Sequence, residues 1–406
     1  MAPLMSRREL LLGIPLTVAG LSALRGAGAQ SHAGGTTLQS LPFLAGEFGY
    51  SCFRTPGLAV SSSGVVLAFC GGRVDNCKDD GDHDIVLRRS FDGGRTWGPI
   101  QIISNDRRNR CDIPVPVVLP SGRILLLWVW SQFVARKKNR TERLVLVCHS
   151  DDGGATWSSA RDITSQVRLP GWSPWYGIGP GHGFVKALGP DRGRIVIPAR
   201  HGEPKIGSRS HLILSDDGGN TWYVGAQARG PYGSNEATAC ELGDGTILLN
   251  SRGNVNHRII TLIKNGGLTT VKTFVDYNLP EPKNGCQGSM LTYSTNRQLQ
   301  EATLLFSNPT NQNTRADGRL RLSFNNGQTW SDGHPYGSSR NAFTGYSDIA
   351  KLANGDVGIL FESESSAKDT QNYNQAVTTS NAKKRNHAKY AGLRYVRLSF
   401  EAITGK

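Results

Sequence analysis

At 406 residues, with 38% hydrophobic and 19% charged residues, the chain has the size and balance of a soluble globular protein that buries a core. A formal net charge of +14 favours anionic partners, such as nucleic acid, an acidic surface or an acidic substrate. The basic runs are short, Lys383-Lys384-Arg385 among them, so nucleic acid is not expected as a partner. Seven cysteines at irregular spacing, none in a C-x-x-C pair, exclude zinc and thioredoxin-type readings, and no metal or cofactor is expected. Cys70 and Cys77 flank a loop and are a candidate pair in an oxidising compartment.

Arg7-Arg8 precede an apolar run to about Leu24, and Ala27-Gly28-Ala29 supplies small residues for cleavage. Gly13, Pro15 and Gly20 interrupt that run, so it is a poor membrane span. The segment resembles a bacterial Tat export signal, with a Sec signal or an uncleaved anchor as alternatives. The expected organisation is an export signal at 1–29, a Gly/Ala/Ser/Thr linker at 30–45 and one domain at 46–406, periplasmic or secreted.

The mature part has no long amphipathic helix. Its short apolar runs are bounded by Gly, Asp, Asn and Pro, which is an all-β pattern. They come in couples: Val65–Gly72 with Ile85–Ser90, Ile124–Trp130 with Leu144–Ser150, and Arg194–Arg200 with His211–Ser215. Thr246–Ser251 with Arg258–Lys264, Thr303–Ser307 with Leu320–Ser323, and Asp356–Glu362 with Leu393–Phe400 continue the series. Four couples run into one octapeptide, S-x-D-x-G-x-T-W: Ser90–Trp97, Ser150–Trp157, Ser215–Trp222 and, with Asn325 for Asp, Ser323–Trp330. Lys264–Thr269 is a degraded copy. In this hairpin the Asp carboxylate accepts backbone N–H groups around a tight turn, the glycines supply positive φ and the Trp folds back. Roughly six such units of about 50–65 residues predict a six-bladed β-propeller with Asp-box hairpins. Asp92, Asp152, Asp217 and Asn325 are then structural.

The innermost strands of a propeller line a central funnel. Arg73, Arg200, Arg252 and Glu362 end the first strand of their couples and are expected to converge there, joined by Arg54 and Arg315. Arginines gathered at one place need an anion among them, and a guanidinium matches a carboxylate with two parallel bonds.

These residues carry a resemblance. Phe53-Arg54-Thr55-Pro56, followed by the repeated Asp boxes, is similar to the F/Y-R-I-P opening of bacterial exo-α-sialidases, and the likeness runs from about Gly49 to Phe400. It implies hydrolysis of terminal α-linked sialic acids from glycoproteins, gangliosides or oligosaccharides. Arg54 matches the first of three arginines that bind the sugar carboxylate. Asp79, leading a D-x-G-x-x-D-I-V-type segment, matches the acid/base, with Asp75, Asp80 and Asp82 close enough for the register to slip. Arg73 matches an auxiliary arginine. Asn235-Glu236 followed by Asn250-Ser251-Arg252 matches the block that makes Glu236 partner of the nucleophile. Arg258 matches the second triad arginine, with Arg252 a near competitor, and Phe306-Ser307-Asn308-Pro309 leads to Arg315 as the third. Tyr346 matches the nucleophile, and Glu362 the carboxylate that steadies Arg54. Thr55, Asn325 and the degraded fourth box depart from the pattern.

The residue types suit the reaction implied. Sialic acid carries a carboxylate on its anomeric carbon, which repels a carboxylate nucleophile but not a neutral Tyr hydroxyl; a Tyr nucleophile is how sialidases depart from the usual pair of carboxylates. Glu236 would draw the phenolic proton, Asp79 would protonate the leaving oxygen and then activate water, and the arginines would hold the carboxylate. Retention of configuration follows. Taken singly, Tyr346 also suits a packed core, Glu236 a structural carboxylate, and Asp75–Asp84 a solvated loop or weak calcium site. A non-catalytic sialoglycan-binding propeller, a structural Asp-box assembly factor and a trans-sialidase are the rival functions. Linkage preference and oligomeric state are not encoded legibly.

Overall fold

The structure, a computed structural model, describes residues 37–133, 142–204, 207–364, 390 and 392–405. All fall within the unit Ala33–Lys406. The expected export signal lies outside the described residues.

The chain folds as a propeller-like series of antiparallel meanders, each begun by an inner strand. Ala237–Glu241, Ile247–Ser251, His257–Lys264 and Thr269–Pro280 pair in sequence order, and Ser289–Asn296, Glu301–Pro309, Gly318–Ser323 and His334–Pro335 repeat the arrangement. The couples read from the sequence are the two middle strands of each meander. The inner strand is an additional one, preceding each couple. Cys52–Val60 packs beside Arg110–Val118 on one flank and Thr344–Lys351 on the other, and Ala237–Glu241 packs beside Ser289–Asn296. Such strands are covered on both faces: all five residues of Ala237–Glu241 are buried. The sheets meet through apolar clusters, such as Leu67, Phe69, Leu126 and Trp128 between the first and second meanders.

The expectation of six separate blades needs correction. The hydrogen bonds define five sheets: four of blade size, with four or five strands, and one of eight. The eight-stranded sheet arises because its two meanders touch through a parallel pairing at one position, His83 with Arg110.

The linker expected at 30–45 is also corrected. Thr37–Leu44 is a strand paired antiparallel with Gly392–Leu398, with Thr37 opposite Leu398. It completes the sheet whose inner strand is Thr344–Lys351, so the two ends of the described chain are stitched into one ladder and a sheet edge is covered.

The Asp-box hairpins have the geometry their sequence demands. Asp92 accepts from the Ser90 hydroxyl at 2.7 Å and from the backbone N–H groups of Arg95 and Thr96 at 3.0 Å. Asp217 repeats this with Asn220 and Thr221, and Asn325 keeps the bond from the Thr329 N–H at 3.0 Å. Gly94 has φ 89°, and a Cβ there would enter the Tyr395 ring. The strand His83–Ser90 runs from the funnel at His83 to the box at Ser90. At about 3.3 Å per residue that separation exceeds 20 Å, so the boxes lie far from the site.

Candidate active site

Three inner strands break their ladders at one level. Register shifts fall between Arg54 and Gly57, between Asp112 and Val115, and between Thr344 and Ser347. Bulges re-aim side chains, and these direct Arg54, Asp112 and Tyr346 into the funnel. Two of them carry β-branched residues at positive φ, Thr55 at 57° and Ile113 at 63°, conformations that persist only where surrounding bonds over-determine them. Here they do: the Thr55 N–H donates to Glu362 at 3.1 Å, its hydroxyl to Asp112 at 2.6 Å, and the Ile113 N–H to Asp112 at 2.8 Å.

Tyr346 donates its hydroxyl to Oε1 of Glu236 at 2.6 Å. Arg252 clamps both, its Nη1 lying 2.8 Å from Oε2 of Glu236 and 3.1 Å from the Tyr346 oxygen. Arg200 approaches Glu236 from the third side at 3.4 Å. Burial pushes the Glu236 carboxyl up, but Arg200 and Arg252 outweigh it and hold the group below its ordinary range. Burial and then the Glu236 charge raise the Tyr346 phenol well above its ordinary value. The resting pair is a neutral phenol bonded to a carboxylate, so any attack by Tyr346 must hand its proton to Glu236 as it proceeds.

Arg54 and Arg315 stand over the Tyr346 ring at 5.6 and 5.1 Å. Glu362, fully buried, accepts from Nε of Arg54 at 3.0 Å and from the Tyr346 N–H at 3.2 Å, coupling the first and last inner strands. Arg315 spends one weak bond on the Gly285 carbonyl, at 3.4 Å. Arg54, Arg252 and Arg315 thus form a convergent cationic pocket around Tyr346.

Asp79 reaches the same pocket on a loop. Its side chain is 75% exposed and lies 3.1 Å from Arg54 and 2.9 Å from Arg73. Desolvation acts upward on its carboxyl, but Arg73 and then Arg54 hold it down at about 2. Arg73, 1% exposed, also binds the carbonyls of Cys77 and Lys78 at 2.8 and 2.7 Å, so it fixes the loop that carries Asp79. Cys77 is joined to Cys52, the Cα atoms 5.3 Å apart, and not to Cys70. Cys70 is a buried free thiol in mid-strand, turned into the core, whereas Cys52 sits opposite Arg73 at the funnel rim.

Arg258 is not part of this pocket. It is completely buried, with Nε on the Asn250 carboxamide oxygen at 2.6 Å and Nη1 on Glu281 at 2.8 Å and on the Cys286 carbonyl. Residues two apart share a strand face, and Arg258 shares its face with Ile260 and Leu262, which pack in the core cluster of Phe306. The competitor, Arg252, is the arginine brought to Tyr346.

Asp112 was missed from sequence. Fully buried, it binds Arg73 at 3.2 Å and Arg110 at 2.9 Å. Its signal was available: Asp112-Ile113-Pro114 repeats the placement of Arg54-Thr55-Pro56, a charged residue two before a proline at the same bulge. Arg110, Arg143 and Trp175 were also missed.

Residues 66–359 match the family described as BNR repeat-like domain. The chain belongs to the BNR repeat-like family. It is 32% identical over 368 residues to a sialidase of Micromonospora viridifaciens, covering 85% of this chain and 56% of that protein. It is 28% identical over 347 residues to a sialidase of Bacteroides fragilis, covering 79% of this chain and 61% of the other. The chain thus spans less than two thirds of these sialidase relatives. Among solved structures, a Hadza microbial sialidase superposes with a TM-score of 0.75 at 24% identity, over 90% of this chain and 69% of that one. That likeness speaks for the sialidase fold alone.

Proposed function

We propose that the chain is an exo-α-sialidase that releases terminal α-linked sialic acids from glycoconjugates with retention of configuration. The observation that carries this is the 2.6 Å bond from Tyr346 to Glu236 inside a pocket of three arginines. The substrate carboxylate is bound by Arg54, Arg252 and Arg315. The Tyr346 oxygen attacks the anomeric carbon as its proton passes to Glu236, while Asp79 gives a proton to the departing aglycone oxygen. Asp79 then takes a proton from water, which attacks the same carbon, and the tyrosyl oxygen leaves and recovers its proton from Glu236. The arginines compensate the carboxylate while positive charge grows on the ring.

Asp79 is ionised in the unliganded pocket, so it must gain a proton before the first step. The substrate carboxylate competes for Arg54, weakening the hold that keeps Asp79 low, and the bound aglycone removes water from it. Arg73 and Glu362 are positioning residues: one holds the Asp79 loop, the other holds Arg54 and the Tyr346 backbone.

In this reading the eight-stranded sheet counts as two blades, giving six around the funnel, with a boundary near Thr37. The Cys52–Cys77 pair supports an oxidising compartment and hence export, to the periplasm or outside. Among the described residues no helix is long and apolar enough to cross a membrane.

The test is release of a fluorescent aglycone from an α-linked sialoside by the protein and by Tyr346→Phe. Release abolished in the variant supports the reading. Binding of sialic acid without release by the unaltered protein supports the sialoglycan-binding alternative, and transfer to an added sugar acceptor instead of water supports a trans-sialidase.

A further inference from the structure

Arg143 and Arg200 stand on either side of one problem. Their guanidinium carbons lie 5.2 and 5.0 Å from the ring centroid of Trp175, and both are buried, 6% and 5% exposed. Among the described residues Arg143 has no carboxylate partner, and Arg200 has only a share of Glu236. Arg143 donates to the Tyr176 carbonyl at 3.3 Å. Nε and Nη1 of Arg200 make no hydrogen bond, and its ion-pair approach is to Glu236, whose oxygens already accept from Tyr346 and Arg252.

Other buried cations of the funnel are answered more fully: Arg54 by Glu362, and Arg73 and Arg110 by Asp112. The chain between Phe133 and Glu142 contains no Asp or Glu. Buried guanidinium groups without a full counter-charge are costly. Burial, then the like charges of Arg110 and Arg200, press the Arg143 group down to about 8. The placement of Arg200 is also fixed by the chain: a Cβ on Gly177 would come within 3.1 Å of its Cζ and Nε, so glycine leaves room for the guanidinium.

Arg143 and Arg200 project from the second and third meanders, whereas Arg252, Arg315 and Tyr346 come from the last three. A sugar with its carboxylate on the arginine clamp therefore turns the far end of its ring and side chain towards Trp175. We propose that Arg143, Arg200 and Trp175 form a second oxyanion subsite, and that the preferred glycone is a sialic acid bearing a sulfate or phosphate ester at the end remote from its carboxylate. This rests on the sialidase reading. Two guanidinium groups beside one indole ring suit a tetrahedral oxyanion, and the ring helps to hold each in place.

The experiment compares kcat/KM for three α-sialosides of one fluorescent aglycone: unmodified, side-chain sulfated and side-chain phosphorylated. One of the esters should exceed the unmodified glycoside by about tenfold or more, as a charge-assisted pair would give, and which ester leads identifies the anion. In Arg143→Gln the preference should fall to near parity, and Arg143→Lys should restore part of it. Equal or better turnover of the unmodified glycoside by the unaltered protein overturns the subsite, whatever the variants do. If no glycoside is cleaved, the sialidase reading has failed instead. Inorganic sulfate then decides the subsite: it should raise Tm more for the unaltered protein than for Arg143→Gln, and equal shifts overturn it.

Discussion

Tyr346 and Glu236 are 110 residues apart in the chain and share a 2.6 Å hydrogen bond, closed by Arg252 against both. The bond exists because a bulge in one inner strand turns Tyr346 into the funnel and Glu236 sits at the rim of another, two meanders away. A free phenolate is disfavoured there, since burial and the Glu236 charge both oppose it. In the proposed mechanism the pair is therefore a nucleophile with its own base.

Arg252 and Arg258 should respond differently to truncation. Arg252→Met removes a cation from a pocket open to substrate, so kcat/KM should fall by about two orders of magnitude or more while Tm changes little. Arg258→Met leaves the fully buried Glu281 without its partner, which should cost about 3–5 kcal/mol of stability. Kinetics beside urea denaturation checks this, and a catalytic defect in a stably folded Arg258 variant would reverse the assignment.

In the first step of the proposed mechanism Asp79 matters only when the leaving group needs a proton. Asp79→Ala should slow release of a sugar or alkyl aglycone by about 10²–10⁴-fold and leave an acidic phenol, which departs unaided, much less affected in the first step. Values of kcat/KM across a series of aglycones, which report the first step alone, measure the slope. A uniform loss of kcat/KM would show that Asp79 only shapes the loop.

The Cys52–Cys77 bond ties the start of an inner strand to the loop two residues before Asp79. Reduction, or Cys77→Ser, should lower kcat more than it lowers the unfolding midpoint, because the loop is then held only through contacts such as those of Arg73 with the Cys77 and Lys78 carbonyls and Asp79. Activity and melting measured with and without reductant separate the two effects.

Acidification should destabilise the fold before any catalytic carboxylate titrates. Burial holds His83 down at about 4, and it also lowers His201 and His211. A histidine titrates near 6.5 when unfolded, so between about 6.5 and 4 the unfolded chain binds more protons than the folded one. The contribution of these groups is complete above that window and is lost as pH falls through it. His182, raised by its Asp348 contact, opposes the trend. Urea midpoints from pH 7 to 4 should decline, and less steeply in His83→Gln.

Much of this architecture is legible in the chain, and what is not has definite causes. The couples and Asp boxes announce themselves because their alternation and turn residues are local. The inner strands do not: Phe53–Gly57 and Cys111–Val115 contain a proline and a bulge, which demote a run as a strand, yet this is where the site is built. Thr37–Leu44 reads as linker because its partner lies at the opposite end of the chain. Arg258 could be mistaken for a ligand because spacing alone does not say which strand face it occupies. Its parity with Ile260 and Leu262 does. Arg143 and Trp175 gave no motif, since only the packing of the second meander against the third brings them beside Arg200.

The central claim is that Tyr346 forms a covalent bond to the sugar. The most direct measurement uses a sialosyl fluoride carrying a second fluorine beside the anomeric carbon, which slows breakdown of an intermediate more than its leaving group slows formation. After brief incubation and proteolysis, mass spectrometry should find one sialosyl adduct, on the peptide containing Tyr346, absent in Tyr346→Phe. Rapid turnover of unmodified sialosides with no adduct, or with an adduct on another residue, would contradict the account.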